Sequence, residues 1–371
     1  MANQPQGQWQ RGVTEVPWHA GRPVTVLAGD DEGRHSHRAS PEPAPPAGPA
    51  PDEPAPAAAA EVGPGWRGEF RFTSFEVGDP GAAATVPAFP DPENWDIRDT
   101  VLDGVRLRGA GELPSMELRA ASARGRSHRY EGTVRQDAYA YRSDGRFVVL
   151  AVTDGVSDGP LSHVAANIVS QHGCHMIARQ LETTDPEALD WGNILEVLAT
   201  KVVSAGRRRL SQTRPDADQL EPREIARHLA TTALFAVLGM AAVDGFHPVH
   251  LLPHGDTSAW ILRSGRTWEP QQAVKNNGKD VASSATRALP YFPERAPAAI
   301  RARLGPADTL VLMTDGIGDP LGDGAGSVGA FLAEQWQHPP EPLAFAAHVD
   351  FARRSHDDDR TAVAVWPAPP A

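Results

Sequence analysis

The stretch FVVLAVTDGVSDG, residues 147–159, joins an apolar run to a turn that begins with an aspartate. A second stretch, LVLMTDGIGD at 310–319, repeats the order: an apolar run, Thr-Asp-Gly, a β-branched residue, one further residue and Asp. Short apolar runs bounded by glycine are typical of buried strands. A single Asp-Gly after a strand is most often just a turn. Its repetition predicts that two distant strands each end in a carboxylate that serves one site.

The pattern around these stretches predicts an α+β fold with largely antiparallel sheets. Residues 137–153 indicate a hairpin, with strands 137–142 and 146–153 joined by a Ser143-Asp144-Gly145 turn. Ser162 and Asp190 are suitable N-caps for helices over 162–182 and 190–212. The other predicted elements are strands 68–77, 116–125, 231–240, 247–255, 257–265, 308–316 and 361–366, and helices 326–337 and 341–354. Helices in two blocks are expected to form layers outside the sheets.

The composition indicates an acidic, soluble protein. The 371 residues carry a formal net charge of −12 at pH 7, which disfavours binding to nucleic acid or to an anionic membrane. Cys174 is the single cysteine, so neither an internal disulfide nor a cysteine-based metal site is expected. The N-terminus lacks the pattern of a secretory signal, and no apolar run reaches the length of about 18 residues that spans a membrane. We therefore expect a cytoplasmic monomer.

Three regions are predicted along the chain. Residues 41–64 are rich in Pro and Ala, a composition that does not bury a core and is typical of an extended linker. We expect residues 1–64 to be a largely disordered tail, in which the short apolar run 24–27 suits docking on a partner. Residues 65–112 are predicted to form an arm or an extra strand packed on the main domain, which spans 113–371.

Four aspartates share one setting, at the edge of a predicted apolar strand: Asp137, Asp154, Asp315 and Asp358. Carboxylates that lie close together repel one another, and a divalent cation relieves that repulsion. A carboxylate-only site suits hard ions such as Mg²⁺ or Mn²⁺. Gly155 allows a sharp turn after Asp154 and leaves its carbonyl as a further oxygen ligand. Two such ions about 3.5–4 Å apart can hold a bridging water or hydroxide that attacks phosphorus.

The order of six short motifs resembles the metal-dependent PPM/PP2C protein phosphatases. The motifs are GTVRQDA (132–138), VTDGVSDG (152–159), TTALFAV (231–237), HGDTSAWIL (254–262), LVLMTDGIGD (310–319) and DDRTAVAV (358–365). The opening at 125–138 resembles the GxSHxxxGxxxQDA pattern of the bacterial branch. The resemblance covers about residues 120–366 and implies a four-layer αββα sandwich, with two central, mainly antiparallel sheets flanked by helices. It also implies a signalling enzyme that hydrolyses phosphoserine or phosphothreonine in a protein substrate, at a centre of two Mn²⁺ or Mg²⁺ ions.

The resemblance implies a role for each acidic position. Asp137 ligates one metal, and Asp154 bridges both. Gly155 supplies a carbonyl ligand, and Asp315 and Asp358 bind on the side of the other ion. Asp154 and Asp315 are then the catalytic residues, which act through the metal-activated water.

The chain departs from the family pattern at several positions. Gln136 stands where many members have a glutamate, so it adds no charge. The phosphate-clamping arginine of many relatives falls on Gly132; Arg135 is the nearby candidate for binding the substrate phosphate, and the alternative is a surface arginine. Val156 replaces the general-acid histidine of eukaryotic members, so leaving-group protonation would fall to a metal-bound water. The stretch 225–230 lacks the aspartate of a third metal site, which leaves a third ion open.

These departures favour one alternative, a pseudophosphatase or phosphoprotein-binding module on the same fold with little turnover. A phosphatase with an aspartyl nucleophile would need Asp-x-Asp-x-Thr after a strand, which neither repeat supplies. A calcium loop would need a glutamate at its twelfth position, which is also missing. Asp256 in HGDTSAW is interpreted as a structural turn, while Asp158 and Asp319 either support the metal ligands or cap the segments that follow them.

Overall fold

Two antiparallel sheets stack face to face at the centre of the molecule. The computed structural model describes residues 75–79, 98–272, 288–291 and 298–368. The strands are β1 (Thr100–Leu107), β2 (Met116–Ala123), β3 (Ala138–Ser143), β4 (Phe147–Thr153), β5 (Ala233–Gly239), β6 (His247–His254), β7 (Ser258–Arg263), β8 (Thr267–Pro270), β9 (Ile300–Leu304), β10 (Thr309–Met313) and β11 (Arg360–Pro367). One sheet has the order β1-β2-β11-β10-β7-β8, and the other has the order β3-β4-β5-β6-β9.

Helices cover the outer faces of both sheets. They are α1 (Arg126–Glu131), α2 (Ser162–Gln180), α3 (Trp191–Leu210), α4 (Pro222–Ala226), α5 (Asp315–Leu321), α6 (Ser327–Gln335) and α7 (Pro342–Val349). Helix α2 packs on β3, β4 and β5, and α3 packs on α2. On the other side α7 contacts β1, β2 and β11, while α6 contacts β8. The predicted α+β fold, a four-layer αββα sandwich, is confirmed.

The central core lies between the two sheets. Apolar side chains from both sheets are fully buried there, among them Leu118, Leu150, Leu234, Leu312 and Val363. Further apolar layers separate each sheet from its helices. Because a central strand is covered on both faces, it has a continuous apolar sequence rather than an alternating one, as in ALFAVLG of β5.

The predicted hairpin and the second helix are confirmed, but the cap of the first helix is not. β3 and β4 pair antiparallel around the predicted turn. Asp190 caps α3, since its carboxylate accepts a hydrogen bond of 3.0 Å from the Asn193 amide. Leu161, not Ser162, occupies the N-cap position of α2. The Ser162 hydroxyl donates instead to the Val156 carbonyl at 2.7 Å, which ties the helix start to the turn after β4.

The connection at Gly255-Asp256 links the two sheets rather than forming a hairpin. β6 belongs to the five-stranded sheet and β7 to the six-stranded sheet, so the chain crosses the sandwich here. Gly255 has a φ of 113°, a backbone conformation that favours glycine. The crossing carries Asp256 to the end of the sandwich where Asp154 and Asp315 lie.

Several elements were absent from the sequence prediction. Strands β8 and β9 were not predicted, and β1 lies within residues 65–112, where an arm or an extra strand was predicted. Strand β10 ends at Met313, and Asp315 begins α5 rather than ending a strand. Helix α7 ends at Val349 rather than near 354, because residues 352–354 hydrogen-bond to the segment 75–79.

Other predictions fall largely outside the described residues. This holds for the tail 1–64 and for most of the strand 68–77, of which the described end contains a parallel bridge between Glu76 and Ala352. Of the helices that the structure describes, none combines the length and the apolar character needed to cross a membrane.

Candidate metal centre

The four predicted aspartates lie at the same end of the sandwich. Asp137 directly precedes β3, and Asp154 directly follows β4 in the five-stranded sheet. Asp315 begins α5 after β10, and Asp358 comes shortly before β11 in the six-stranded sheet. In an antiparallel pair, the start of one strand and the end of its neighbour meet at one edge, so each sheet contributes two carboxylates. The site therefore lies where the ends of both sheets meet.

Three carboxylates form the centre of this cluster. Oxygen atoms of Asp154, Asp256 and Asp315 all lie within 4.8 Å of one another. Asp256 was predicted to be only a turn residue, and its place in the cluster follows from the crossing between β6 and β7. A signal was present in the sequence, because Asp256 follows a predicted strand just as Asp154 does. The arrangement offers several oxygen donors and suits a hard divalent cation.

Crowding raises the pKa values of these carboxyls. The pKa of Asp154 is raised well above its usual value, first by burial and then by the charges of Asp315, Asp137, Asp358 and Asp256. These groups therefore lie close enough to repel one another strongly. A divalent cation would relieve that repulsion, so the electrostatics and the oxygen ligands both favour a metal ion here.

Asp137 is held in one orientation by two hydroxyl groups from the opposite sheet. Thr314 and Thr361 each donate a hydrogen bond of 2.8 Å to its Oδ2 atom. Burial raises the pKa of Asp137 well above its usual value, as do the charges of Asp359 and Asp358, while the two hydroxyl donors oppose the shift. With Oδ2 engaged by both threonines, Oδ1 is the oxygen left for a cation.

Asp359, next to the predicted ligand Asp358, organises the backbone around the site. Its carboxylate accepts hydrogen bonds from the Gly125 amide at 2.6 Å, from Nδ1 of His128 at 2.9 Å and from the Gln136 amide. Burial would raise the pKa of Asp359, but the hydrogen bond and charge of His128 and the two amide donors lower it overall. These contacts fasten the opening motif to the loop before β11.

His128 and Asp359 form a buried ion pair that the sequence analysis did not identify. Burial lowers the pKa of His128, but the hydrogen bond and the charge of Asp359 outweigh it and raise the pKa to about 8. Both residues were present in the quoted motifs, yet nothing in their spacing indicates that they meet. Burial raises the pKa of the neighbouring Asp358, as does the charge of Asp359.

Gly155 is required for space rather than for a sharp turn. Its φ is not among the positive values found at other glycines, whereas a Cβ atom at this position would lie 2.8 Å from the Gln136 carbonyl oxygen. Gly155 pairs with Thr231 in an antiparallel bridge whose hydrogen bonds are made by the residues on either side. Its own carbonyl therefore points away from Thr231. That orientation is compatible with the predicted carbonyl ligand.

Arg135 does not lie in the same cleft as Asp315 and Asp358. It is 5% exposed, and its guanidinium donates to the Ser122 hydroxyl at 2.6 Å and to the Asp137 carbonyl. It lines a separate cavity of about 380 Å³, together with Tyr139 and others. This placement supports a role in positioning the Asp137 backbone and does not support the predicted contact with the substrate phosphate.

The cleft that opens over the acidic cluster has a volume of about 360 Å³. Its lining combines α1, α5 and the loop before β11: Ser127, Asp315, Gly316, Asp319, Ser355, His356, Asp357 and Asp358. Asp319 thus faces the cleft, whereas Asp158 is exposed in the turn after β4. The carboxylates of Asp315 and Asp358 are therefore accessible from this side.

Comparisons with known proteins give one matching family and several similar solved structures. A family model described as protein phosphatase 2C matches residues 124–345. A crystal structure of RsbX in complex with magnesium is 11% identical, and the match covers 72% of this chain and 100% of that chain with a TM-score of 0.42. The phosphatase domain of SpoIIE from Bacillus subtilis is 16% identical, with 75% and 74% of the two chains covered and a TM-score of 0.43. The catalytic domain of PstP in complex with two manganese ions is 20% identical, with 68% and 99% covered and a TM-score of 0.41. None of the proteins with curated descriptions matches.

Proposed function

The chain belongs to the protein phosphatase 2C family, and we propose that it is a metal-dependent phosphatase that removes phosphate from phosphoserine or phosphothreonine in a protein substrate. The observation that carries this proposal is the convergence of Asp154, Asp256 and Asp315 within 4.8 Å at the end of both sheets. All three residues are half-buried, and negative charges packed this closely in a partly desolvated site repel one another unless a cation is present. Retention of such a cluster in a cleft open to solvent favours a catalytic purpose.

The donor set fits two divalent cations. Carboxylate oxygens with raised pKa values, and no thiol among them, favour Mn²⁺ or Mg²⁺ over softer ions. On this proposal Asp137, Asp154 and the Gly155 carbonyl would hold one ion, and Asp154, Asp315 and Asp358 would hold the other. Asp256, beside Asp154 and Asp315, would add a further carboxylate to the second position. The ions would supply Lewis acidity and a water of lowered pKa that attacks phosphorus at neutral pH.

The residues of the chain orient and shield the site. The threonines at 314 and 361 fix one oxygen of Asp137, and Asp359 holds the opening motif against the loop that carries Asp358. Val156 lies partly buried at the position where eukaryotic relatives place a proton-donating histidine, so this side chain does not protonate the leaving group. The chain thus contributes geometry and charge rather than a protein nucleophile.

The test is Mn²⁺-dependent hydrolysis of para-nitrophenyl phosphate and of phosphoserine or phosphothreonine peptides. Replacing a residue that only supports a metal ligand typically lowers activity by about 10–100-fold. Replacing a ligand itself should lower it further, so Asp154→Ala and Asp315→Ala should each reduce the hydrolysis rate by at least about a hundredfold. Asp144→Ala is a matched control, because Asp144 lies in the turn at the other end of the same hairpin. Unchanged activity in the two cluster variants would show that the assignment is wrong.

Calorimetry separates the enzyme from a binding module on the same fold. Wild-type protein that binds Mn²⁺ but hydrolyses none of these substrates would support the pseudophosphatase alternative. Hydrolysis that requires Mn²⁺ and is lost with Asp154 supports the enzyme.

A further inference from the structure

A short N-terminal segment, Phe75–Asp79, lies along the chain just before the acidic loop; we call it the strap. Its backbone forms hydrogen bonds with residues 352–354, and each of the two segments both donates and accepts. The Ala352 amide donates to the Phe75 carbonyl at 2.6 Å, and the Val77 amide donates to the Ala352 carbonyl at 3.1 Å. The Arg354 amide donates to the Asp79 carbonyl at 2.8 Å. The strap therefore adds a stretch of strand-like pairing where α7 has ended.

Side chains also anchor the strap. Val77 is 6% exposed and belongs to the apolar layer beneath α6 and α7. The Phe75 ring lies 5.4 Å from the rings of both Phe331 and His348. Asp79 pairs with Arg354 at 2.9 Å. Burial of Val77 and the ring contacts both stabilise the docked segment.

Arg353 ties the strap to a helix. One Nη atom of Arg353 donates to the Val77 carbonyl at 3.1 Å and to the Ser327 hydroxyl, at the start of α6, at 3.3 Å. Gly78 makes this contact possible, because it has a φ of 74° and a Cβ atom there would collide with the Arg353 guanidinium. Residues 352–354 are thus clamped between the strap and the rest of the fold.

The clamped residues lead directly into the candidate metal centre. Ser355, His356, Asp357 and Asp358 follow Arg354 without interruption, and all four line the cleft. Ser355 has a φ of 64°, a left-handed conformation that is unfavourable for a non-glycine residue and persists only where the surroundings enforce it. The far end of the loop is held by Asp359. Its middle is held by Ser127 and Arg360, which donate to the carbonyls of Asp357 and His356. The strap adds a restraint at the near end.

From these contacts we propose that the strap is a positioning element, which holds residues 352–358 in the conformation that presents Asp358 and so raises the affinity of the site for divalent cations. This inference rests on the proposed function, because it concerns the same metal centre. The proposal assigns a role to the segment before β1, for which the sequence predicted only an arm or an extra strand. Residues far from the ligands act here by limiting the conformations of the loop that carries one of them.

The test uses the full chain and the double variant Phe75→Ala/Asp79→Asn, which removes the ring contacts and the ion pair. Mn²⁺ affinity is measured by calorimetry, and amide hydrogen exchange of residues 352–358 is measured in metal-free protein. Coupling through such contacts alters binding by a few-fold to about thirtyfold. We expect the Mn²⁺ dissociation constant to rise about threefold to tenfold, together with faster exchange in this loop. Activity at saturating Mn²⁺ should stay close to the wild-type value, since the chemistry is unchanged once the ions are bound.

Two further variants make the result specific. Phe246→Ala is the matched control, because Phe246 has a similar exposure (39%, against 41% for Phe75) but contacts Arg303 of β9, in the other sheet. Its Mn²⁺ affinity should equal that of the wild type. The single variant Phe75→Tyr keeps both the ring and the native Asp79, and its Mn²⁺ affinity should therefore equal that of the wild type.

The outcomes distinguish the inference from the function on which it rests. An unchanged Mn²⁺ dissociation constant in the double variant overturns the inference, whether or not exchange in the loop becomes faster. Wild-type protein that binds Mn²⁺ without hydrolysing substrate contradicts the proposed enzyme but leaves the affinity comparison valid. Wild-type protein that binds no Mn²⁺ overturns both.

Discussion

The hydroxyl of Thr314 donates a hydrogen bond of 2.8 Å to Oδ2 of Asp137, and this contact joins the two sheets at the candidate metal centre. Thr314 follows β10 of the six-stranded sheet, whereas Asp137 precedes β3 of the five-stranded sheet. Thr361, opposite Ser122 on the neighbouring strand, donates to the same oxygen. A carboxylate buried between two sheets is therefore oriented by hydroxyl groups that reach it only when the sandwich closes.

Thr314→Val should weaken both folding and metal binding. The variant keeps the shape of the side chain but removes a donor from a buried carboxylate, which typically costs about 1–3 kcal/mol in the free energy of unfolding. Loss of an orienting partner typically reduces metal affinity by about 10–100-fold. Urea denaturation in EDTA and Mn²⁺ calorimetry measure the two effects. Thr309→Val, at the other end of the same strand, is the control, and equal losses in both variants would contradict the assigned role of Thr314.

Asp256→Asn should reduce Mn²⁺ affinity by about 10–100-fold. The substitution preserves the size of the side chain and removes one of three carboxylates that lie within 4.8 Å of one another. If Asp256 served only the turn between β6 and β7, an asparagine would replace it with little effect. Calorimetric titration with Mn²⁺ decides between these readings. Asp323→Asn, in a turn whose carboxylate accepts from the Ala325 amide, controls for the loss of one surface charge.

His128→Gln should destabilise the protein more at pH 6 than at pH 9. The pKa of His128 is raised to about 8 in the folded state, above the value of about 6.5 in an unfolded chain. Stability from the charged pair is fully present below about pH 6.5 and is lost as the pH rises through 8. The shift corresponds to about 2 kcal/mol.

Urea denaturation of metal-free protein at the two pH values measures this difference. The difference in unfolding free energy between wild type and variant should shrink by about 2 kcal/mol from pH 6 to pH 9. His250→Gln, which removes a histidine paired with the half-exposed Glu187, serves as the comparison. A difference that stays the same across this range would argue against a charged His128–Asp359 pair.

Gly155→Ala should destabilise the fold by about 1–3 kcal/mol and weaken metal binding. A Cβ atom would lie 2.8 Å from the Gln136 carbonyl, so either Gln136 or the Asp154 turn has to move. Gln136 immediately precedes Asp137, and the movement would therefore disturb two predicted ligands. Gly326→Ala is the control, because a Cβ atom there meets nothing within 4 Å. Thermal denaturation that gave equal midpoints for both variants would contradict the steric argument.

Much of the fold could be predicted because its signals are local. The hairpin around residues 143–145, the helix capped by Asp190 and the closing strand each depend on neighbours in the chain. Strands such as β8 and β9 were missed because they are short and carry polar residues at the sheet edges. The length of α7 was overestimated, since the pairing of residues 352–354 with the strap leaves no trace in their own sequence.

The sequence by itself determined the α+β class, the repeated Thr-Asp-Gly at two strand ends and the chemistry of a carboxylate site, because strand periodicity and side-chain type are properties of short stretches. Only the tertiary structure decided that Asp256 joins the carboxylate cluster. It also decided that the Arg135 guanidinium contacts the Asp137 carbonyl and that His128 pairs with Asp359. These relationships depend on which sheet each strand enters and on how closely the two sheets pack. The sheet that each strand enters is determined by burial of the whole core. The contacts that result join residues that are far apart in the sequence, and their spacing does not predict them.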